Sequence, residues 1–253
     1  MNFHGFFALF YKELLRFNKV ALQTLVAPVI TALLYLMVFS HVLQDRVSVY
    51  SGVGYSAFLI PGLIMMSIIQ NAFANSSSCL IQSEVTGNLV FVLLSPLSPL
   101  EFFLAFMLAA TVRGMLVAVA MYAVASLFVP LPMYNAGVLL LFAFLASAVL
   151  GTLGIIAGIW ADKFDHVAAF QNFFIMPLSF LSGVFYSIHS LPPFWREVSH
   201  FNPFFYMIDG FRYGFLGVSD VNPALSLVIV TAAFLALAAL TMLWLRTGYK
   251  LRD

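Results

Sequence analysis

Ser83-Glu84-Val85-Thr86-Gly87-Asn88-Leu89-Val90-Phe91-Val92-Leu93-Leu94-Ser95-Pro96-Leu97-Ser98-Pro99-Leu100-Glu101 separates two apolar runs, 55–81 and 102–129, each long enough to cross a bilayer. A connector between two membrane helices needs only a few polar residues. This one has an acidic start, a Thr-Gly break, an apolar run of more than one helical turn and two Ser-Pro pairs. It reads as a small structured element built to be touched by another molecule.

The rest of the chain has the same character as the two flanking runs. Of 253 residues, 63% are hydrophobic and 8% are charged, against about 45–50% apolar and roughly 25% charged in soluble proteins. The composition is that of an integral membrane protein, and no linker or low-complexity block divides residues 1–253 into more than one domain. A net charge of +1 argues against a nucleic-acid partner, which requires a dense basic face. The single cysteine, Cys79, can form neither an internal disulfide nor a metal site.

Runs of about 20 apolar residues predict spans over 20–43, 55–81, 102–129, 137–160, 167–188 and 224–245. The first reads as a span rather than a removed signal peptide, because it starts late and lacks a small-residue cleavage pattern. With both termini inside, the inner side carries Lys12, Arg16, Lys19, Lys163, Arg246, Lys250 and Arg252, and the outer side carries Arg46, Arg196 and Arg212. The excess on the inside sets this orientation and makes 82–101 a cytoplasmic loop, together with the turn 161–166.

Two regions stand outside the spans. In residues 1–19, Phe3, Phe6, Phe7, Phe10, Leu14 and Phe17 recur at helical spacing, with Lys12, Glu13, Arg16 and Lys19 on or near the other side. This predicts an amphipathic helix on the inner leaflet, either a plain anchor or a working part. Residues 189–222 are too polar and Pro-broken for a span and too long for a connector. A first short helix is expected from Leu191-Pro192-Pro193-Phe194-Trp195. A second, aromatic one should start at Asn202-Pro203, a capping Asn followed by Pro in the first turn. An outer lid over a pathway is favoured over an aromatic belt at the interface, because a belt does not need two helices.

Polar residues inside the spans have to face protein or water. Gln70, Asn71, Asn75, Ser76, Ser77 and Ser78 crowd the inner half of the second span, where interhelical bonding and pathway lining are both open readings. Arg113, a third of the way along the third span, requires a partner or a route to the interface; Glu84 and Glu101 are the available acids. Gly154-x-x-x-Gly158 permits close helix approach, and Pro177 with Ser179, Ser182 and Gly183 weakens the fifth span.

Several chemistries lack their residues. No Gly-x-x-x-x-Gly-Lys-Ser/Thr loop occurs, so any ATP is handled elsewhere. His4, His41, His166, His189 and His200 are scattered and form no metal set. Acid and histidine relays of an ion-coupled carrier are absent from the spans. Phe180-Leu181-Ser182-Gly183 is a poor match to a serine nucleophile site, with no general base in the spans. The chain is not expected to be an enzyme, and no catalytic residue is assigned.

Several strings then occur in order along the whole length: Ile60-Pro61-Gly62-Leu63-Ile64-Met65-Met66-Ser67, Glu84 through Pro99, Gly183-Val184-Phe185-Tyr186-Ser187 with Leu191-Pro192-Pro193-Phe194-Trp195, and Asn202-Pro203 through Tyr213-Gly214-Phe215-Leu216-Gly217. On these the chain resembles the membrane subunit of ABC-2-type ATP-binding-cassette exporters, and is especially similar to YadH-type inner-membrane permeases. The resemblance implies an all-α membrane protein of the type V exporter kind. It would have six transmembrane helices, an N-terminal interfacial helix, a cytoplasmic coupling helix and short outer re-entrant helices before the last span. It implies a homodimer in the bacterial inner membrane, exporting amphipathic, lipid-linked or hydrophobic cargo. Two copies of a cytoplasmic ABC ATPase would hold ATP and Mg, with no cofactor in this chain. ATPase contacts would fall on Glu84, Thr86, Gly87, Asn88 and Leu89, although family members often carry further charges where this chain has Val85 and Asn88. The first, second and fifth spans would enclose the pathway, with Gln70, Asn71, Asn75, Ser179 and Ser182 as its polar residues or as bundle contacts. The outer gate would include Phe194, Trp195, Phe204, Phe205, Tyr206 and Arg212. A non-conducting membrane anchor or regulatory subunit of an ATPase complex is the alternative.

Overall fold

The computed structural model describes residues 3–43, 50 and 53–250. Arg46 and Arg252, both counted in the charge bias, lie outside the described residues. Among those described, the regular structure is helical apart from one isolated backbone bridge between Tyr50 and Val53. Apolar segments in lipid have little choice: with no water to bond, every backbone group must be paired within its own helix.

Helix α1 (Phe3–Lys19) precedes α2 (Ala21–Leu43), α3 (Tyr55–Val85), the short α4 (Leu89–Leu93), α5 (Pro99–Ala125) and α6 (Ala136–Trp160). Helix α7 (Phe164–Phe170) runs through a π-helical turn, Gln171–Ile175, into α8 (Met176–Phe180). Helices α9 (Pro193–His200), α10 (Pro203–Leu216) and α11 (Pro223–Thr247) complete the chain. Among the described residues, five helices, within α2, α3, α5, α6 and α11, are long and apolar enough to cross a membrane.

The expected span 167–188 is not one continuous helix. The helical run covers 164–180, widens to π geometry where Pro177 removes a backbone donor, and then turns through 181–187 with Gly183 at φ +75°. The start of the 102–129 span also moves. Ser98 is the N-cap of α5 in a reciprocal capping box: the Glu101 amide donates to Ser98 Oγ at 3.3 Å, and the Ser98 amide donates to Glu101 Oε2 at 2.8 Å. The second Ser-Pro pair is therefore a helix start, and the helix ends at Ala125 rather than 129.

Helices α3, α5 and α6 make the packed centre, whereas most of α2 and α11 faces outward. Small residues set the spacing. A Cβ on Gly154 would sit 2.5 Å from the Phe73 carbonyl oxygen, and one on Gly158 would sit 2.7 Å from Leu80 Cβ. The Gly154-x-x-x-Gly158 pair thus closes α6 onto α3 inside one subunit. Helix α1 buries one stripe, Leu9, Glu13 and Phe17, and leaves the parallel stripe Phe3, Phe7, Tyr11 and Leu15 exposed.

Candidate functional site

Three regions carry the polar chemistry of the molecule: the turn after α3, the C-terminal half of α3 beside it, and the opposite end of the bundle; inner and outer name these ends by the expected orientation.

Helix α3 ends where Thr86 caps it, its amide on the Gln82 carbonyl at 3.0 Å and its hydroxyl donating to the same carbonyl at 2.7 Å. Gly87 follows at φ +71°, a left-handed conformation that favours glycine. The Asn88 amide side chain donates to Thr86 Oγ1 at 3.0 Å, which fixes the turn before α4. Glu84, Thr86, Gly87 and Asn88 are exposed on this turn. Leu89 is not with them: it points inward and packs in a cluster with Leu9, Phe102, Phe103 and Phe106. The turn is thus continuous with α3 and anchored through Leu89 in the apolar cluster that also holds residues of α1 and α5. Beside it, Lys250 Nζ reaches Asp162 Oδ1 at 2.7 Å and the Trp160 carbonyl at 2.9 Å. The Lys250 hydrogen bond holds the Asp162 carboxyl below the usual carboxylate range, and Glu84 adds to the negative field at Lys250. The charge that the turn itself lacks is supplied by its neighbours.

In the inner half of α3, Arg16 Nη2 donates to the Asn75 carbonyl at 2.8 Å and to Asn75 Oδ1 at 3.2 Å, while its Nε donates to Glu13 Oε2 at 3.0 Å. Arg113 Nη2 donates to Asn71 Oδ1 at 3.2 Å, and the guanidinium lies 5.9 Å from the Phe17 ring centre. Neither Glu84 nor Glu101 is its partner, because Glu101 is spent on the α5 cap. Asn71 and Asn75 therefore bolt α1 and α5 to α3. Gln70 stands apart, with its buried Nε2 unpaired, beside a cavity of about 220 Å³ that Thr31, Tyr35 and Ser67 also line between α2 and α3. Ser179 and Ser182 are fully buried and bond to helix carbonyls, Ile175 O and Ser179 O. Of the five expected polar residues, Gln70 alone opens on that cavity.

The outer residues divide as well. Phe194 and Trp195 of α9 are exposed, whereas Phe204, Phe205, Tyr206 and Arg212 of α10 are buried. Asn202 caps α10, accepting from the Phe204 amide at 3.0 Å, and its Nδ2 reaches the Leu178 carbonyl at 2.7 Å. Arg212, 1% exposed, donates to the Gly183 carbonyl at 2.6 Å and lies 3.8 Å over the Phe58 ring. Two acids join this knot. Asp209 accepts the amides of Asp220 at 2.7 Å and Val221 at 3.2 Å. Asp220 accepts Tyr50 OH at 2.7 Å, Ser187 Oγ at 2.6 Å and the Ile188 amide at 3.0 Å. The residues before α3, the turn after α8, and the α10–α11 junction are thereby tied together. Burial pushes the Asp209 carboxyl up to about 6, against the lowering effect of the amides it accepts. Sequence reading missed both acids, although Asp209 three residues before Arg212 in so apolar a chain was a usable signal.

A bundle of apolar helices with a pinned inner turn and two short outer helices also matches a known family over most of its length. The family model described as ABC-2 type transporter matches residues 4–216. This chain belongs to the ABC-2 type transporter family. It is similar to the inner membrane transport permease YadH of Escherichia coli K12, at 35% identity over 96% of this chain and 94% of that protein. It is also similar to nodulation protein J of Rhizobium leguminosarum, at 24% identity in biovar viciae and 27% in biovar trifolii, over 92% and 94% of both chains respectively. An ABC-2 chain of this kind is a multi-pass membrane subunit of a transporter and not itself an enzyme.

Proposed function

We propose that this ABC-2 protein is the permease of an exporter in the bacterial inner membrane, working as a homodimer driven by two copies of a separate ATPase subunit. ATP and Mg belong to that partner, and no residue here is assigned to them. Both termini lie in the cytoplasm, and the π-bulged 164–180 helix with the turn after it forms a sixth, shortened crossing. The cargo is amphipathic, lipid-linked or hydrophobic; Gln70 and the cavity between α2 and α3 are its nearest polar contact within one subunit.

The observation that carries this reading is the turn Glu84–Asn88, exposed at its tip yet fixed at both ends, to α3 by the Thr86 cap and, through Leu89, to the apolar cluster shared with α1 and α5. Closure of an ATPase dimer against this tip moves α3 and α5 together. ATP shifts such a gate only by binding its two states unequally. The outer ring of Phe194, Trp195, Phe204, Phe205, Tyr206 and Arg212 serves as the external gate, with the α10 residues as its buried hinge.

Gly87→Pro tests the assignment, since proline cannot take the left-handed φ at this position. The expected outcome is a permease that still folds and inserts but loses export, with ATPase activity no longer stimulated by cargo. Docking and export both unchanged would remove the turn from the coupling path. ATPase binding lost with no cargo transported even by the unaltered protein would favour an anchor.

A further inference from the structure

Between α1 and the turn after α3 lies a cleft of about 910 Å³. Three cations line it, Lys12, Arg16 and Lys19, together with the side-chain amides of Gln82 and Asn88. Among the described residues, the acid ion-paired with these cations is Glu13, which is fully buried, bonded to Arg16 and 3.9 Å from Lys12 Nζ. Lys19 makes no ion pair among the described residues. Three positive charges set against one carboxylate leave the cleft cationic.

The mouth of the cleft indicates the occupant. Tyr11 and Leu15 line it, and both belong to the exposed apolar stripe Phe3, Phe7, Tyr11 and Leu15. On an interfacial helix that stripe is the face turned to the acyl chains. A ligand arriving from that side meets apolar surface first and cations behind it. A soluble anion would make no use of the stripe, and a water-borne acidic peptide would have to cross it.

We propose that this cleft binds the phosphate headgroup of an anionic phospholipid of the inner leaflet. The phosphodiester lies against Lys12, Arg16 and Lys19, and the glycerol and first methylenes run along Tyr11 and Leu15. Such a lipid joins α1 to the coupling turn, so that the anionic content of the leaflet biases how firmly the turn is held. The proposal rests on the inward orientation of α1 and is independent of cargo and of which ATPase pairs.

The test is native mass spectrometry of the full-length permease offered equimolar phosphatidylglycerol and phosphatidylcholine with identical chains. The unaltered protein should retain phosphatidylglycerol preferentially, and Lys12→Gln with Lys19→Gln should cut the preference by roughly tenfold. Both lysines are exposed, so the melting temperature of the double variant should match that of the parent. Lys163→Gln, a charge on the same side but outside the cleft, should leave the preference intact. Full preference in the double variant, or an equal loss in Lys163→Gln, overturns the site. Displacement of the lipid by the same concentration of inorganic phosphate reassigns the cleft to a soluble anion and overturns the lipid. Loss of the preference when the ATPase subunit co-purifies means that a protein segment fills the cleft, which overturns it as well.

Discussion

The outer and inner ends of the bundle solve the problem of buried polarity in opposite ways. At the outer end, all four carboxylate oxygens of Asp209 and Asp220 lie within reach of a donor, and three of the five donors are backbone amides that cannot rotate away. At the inner end the bonds are made by long side chains, Arg16 and Arg113; buried donors remain unspent there, Nδ2 of Asn75 and Nε of Arg113, as does Nε of Arg212 at the outer end. Donors fixed in the backbone cannot turn away, whereas bonds made by long side chains can be exchanged at lower cost. The inner end, which carries the exposed turn after α3, is thus the adjustable one, and the outer end is a clasp that must be moved as a unit.

The largest effect should come from cutting the clasp. Asp220→Ala leaves the Tyr50 hydroxyl, the Ser187 hydroxyl and the Ile188 amide without an acceptor in a region where the Asp220 side chain is fully buried. Removing one partner from a buried charged network costs about 3–5 kcal/mol. Thermal melting of the purified permease should fall by many degrees, and hydrogen exchange at 186–190 should rise. If Arg16→Ala proves more damaging than Asp220→Ala, the ranking of the two ends is reversed.

The second effect concerns pH. Asp209 titrates near 3.8 when unfolded and at about 6 in the fold, raised by burial among Arg212, Asp220 and Tyr50, with His189 4.0 Å beyond on Asp220. Between those values the folded state binds the extra proton. Stability therefore increases as pH falls through 6 toward 4, and decreases again as pH rises through 6. Relative to Asp209→Asn, which has no titration there, the native protein should gain on the order of 2–3 kcal/mol across that window. Melting curves of the two proteins that run parallel from pH 7 to pH 4 would show that Asp209 is not strained by burial.

The two ends also differed in how far the sequence revealed them. Helices α2, α3, α5, α6 and α11 were legible because long apolar runs have one solution in lipid. The turn after α3 was legible because Thr86-Gly87-Asn88 is a helix stop that can be recognised locally. In the 167–188 segment the weakening at Pro177 was legible, but apolar content does not reveal the π turn or that the helical run ends at Phe180. Leu89 was placed at the contact surface because a five-residue helix gives no periodicity to tell its inward face. The outer clasp was invisible for a different reason: Asp220 and its donors Tyr50 and Ser187 are 170 and 33 residues apart in sequence, and nothing local predicts that they meet. Glu84 and Glu101 were named for Arg113 by charge alone, when the partner was a neutral amide, Asn71.

That last pair sets the smallest and sharpest test. Arg113 with Asn71 is a single bond of 3.2 Å between side chains on α5 and α3, with the Phe17 ring of α1 beside it. Interhelical hydrogen bonds in membrane proteins contribute about 0.6 kcal/mol on average by double-mutant cycles, because alternative partners exist when the bond is broken. Here the unspent Arg113 Nε is such an alternative donor. A cycle of Arg113→Met and Asn71→Ala should therefore give a coupling near that average, with transport retained in Asn71→Ala. A coupling several times larger would make this bond a fixed strut like the outer clasp, and the adjustable inner end would then be confined to the Arg16–Asn75 contact. Retained stability with lost transport in Asn71→Ala would instead move Asn71 from the bundle to the pathway.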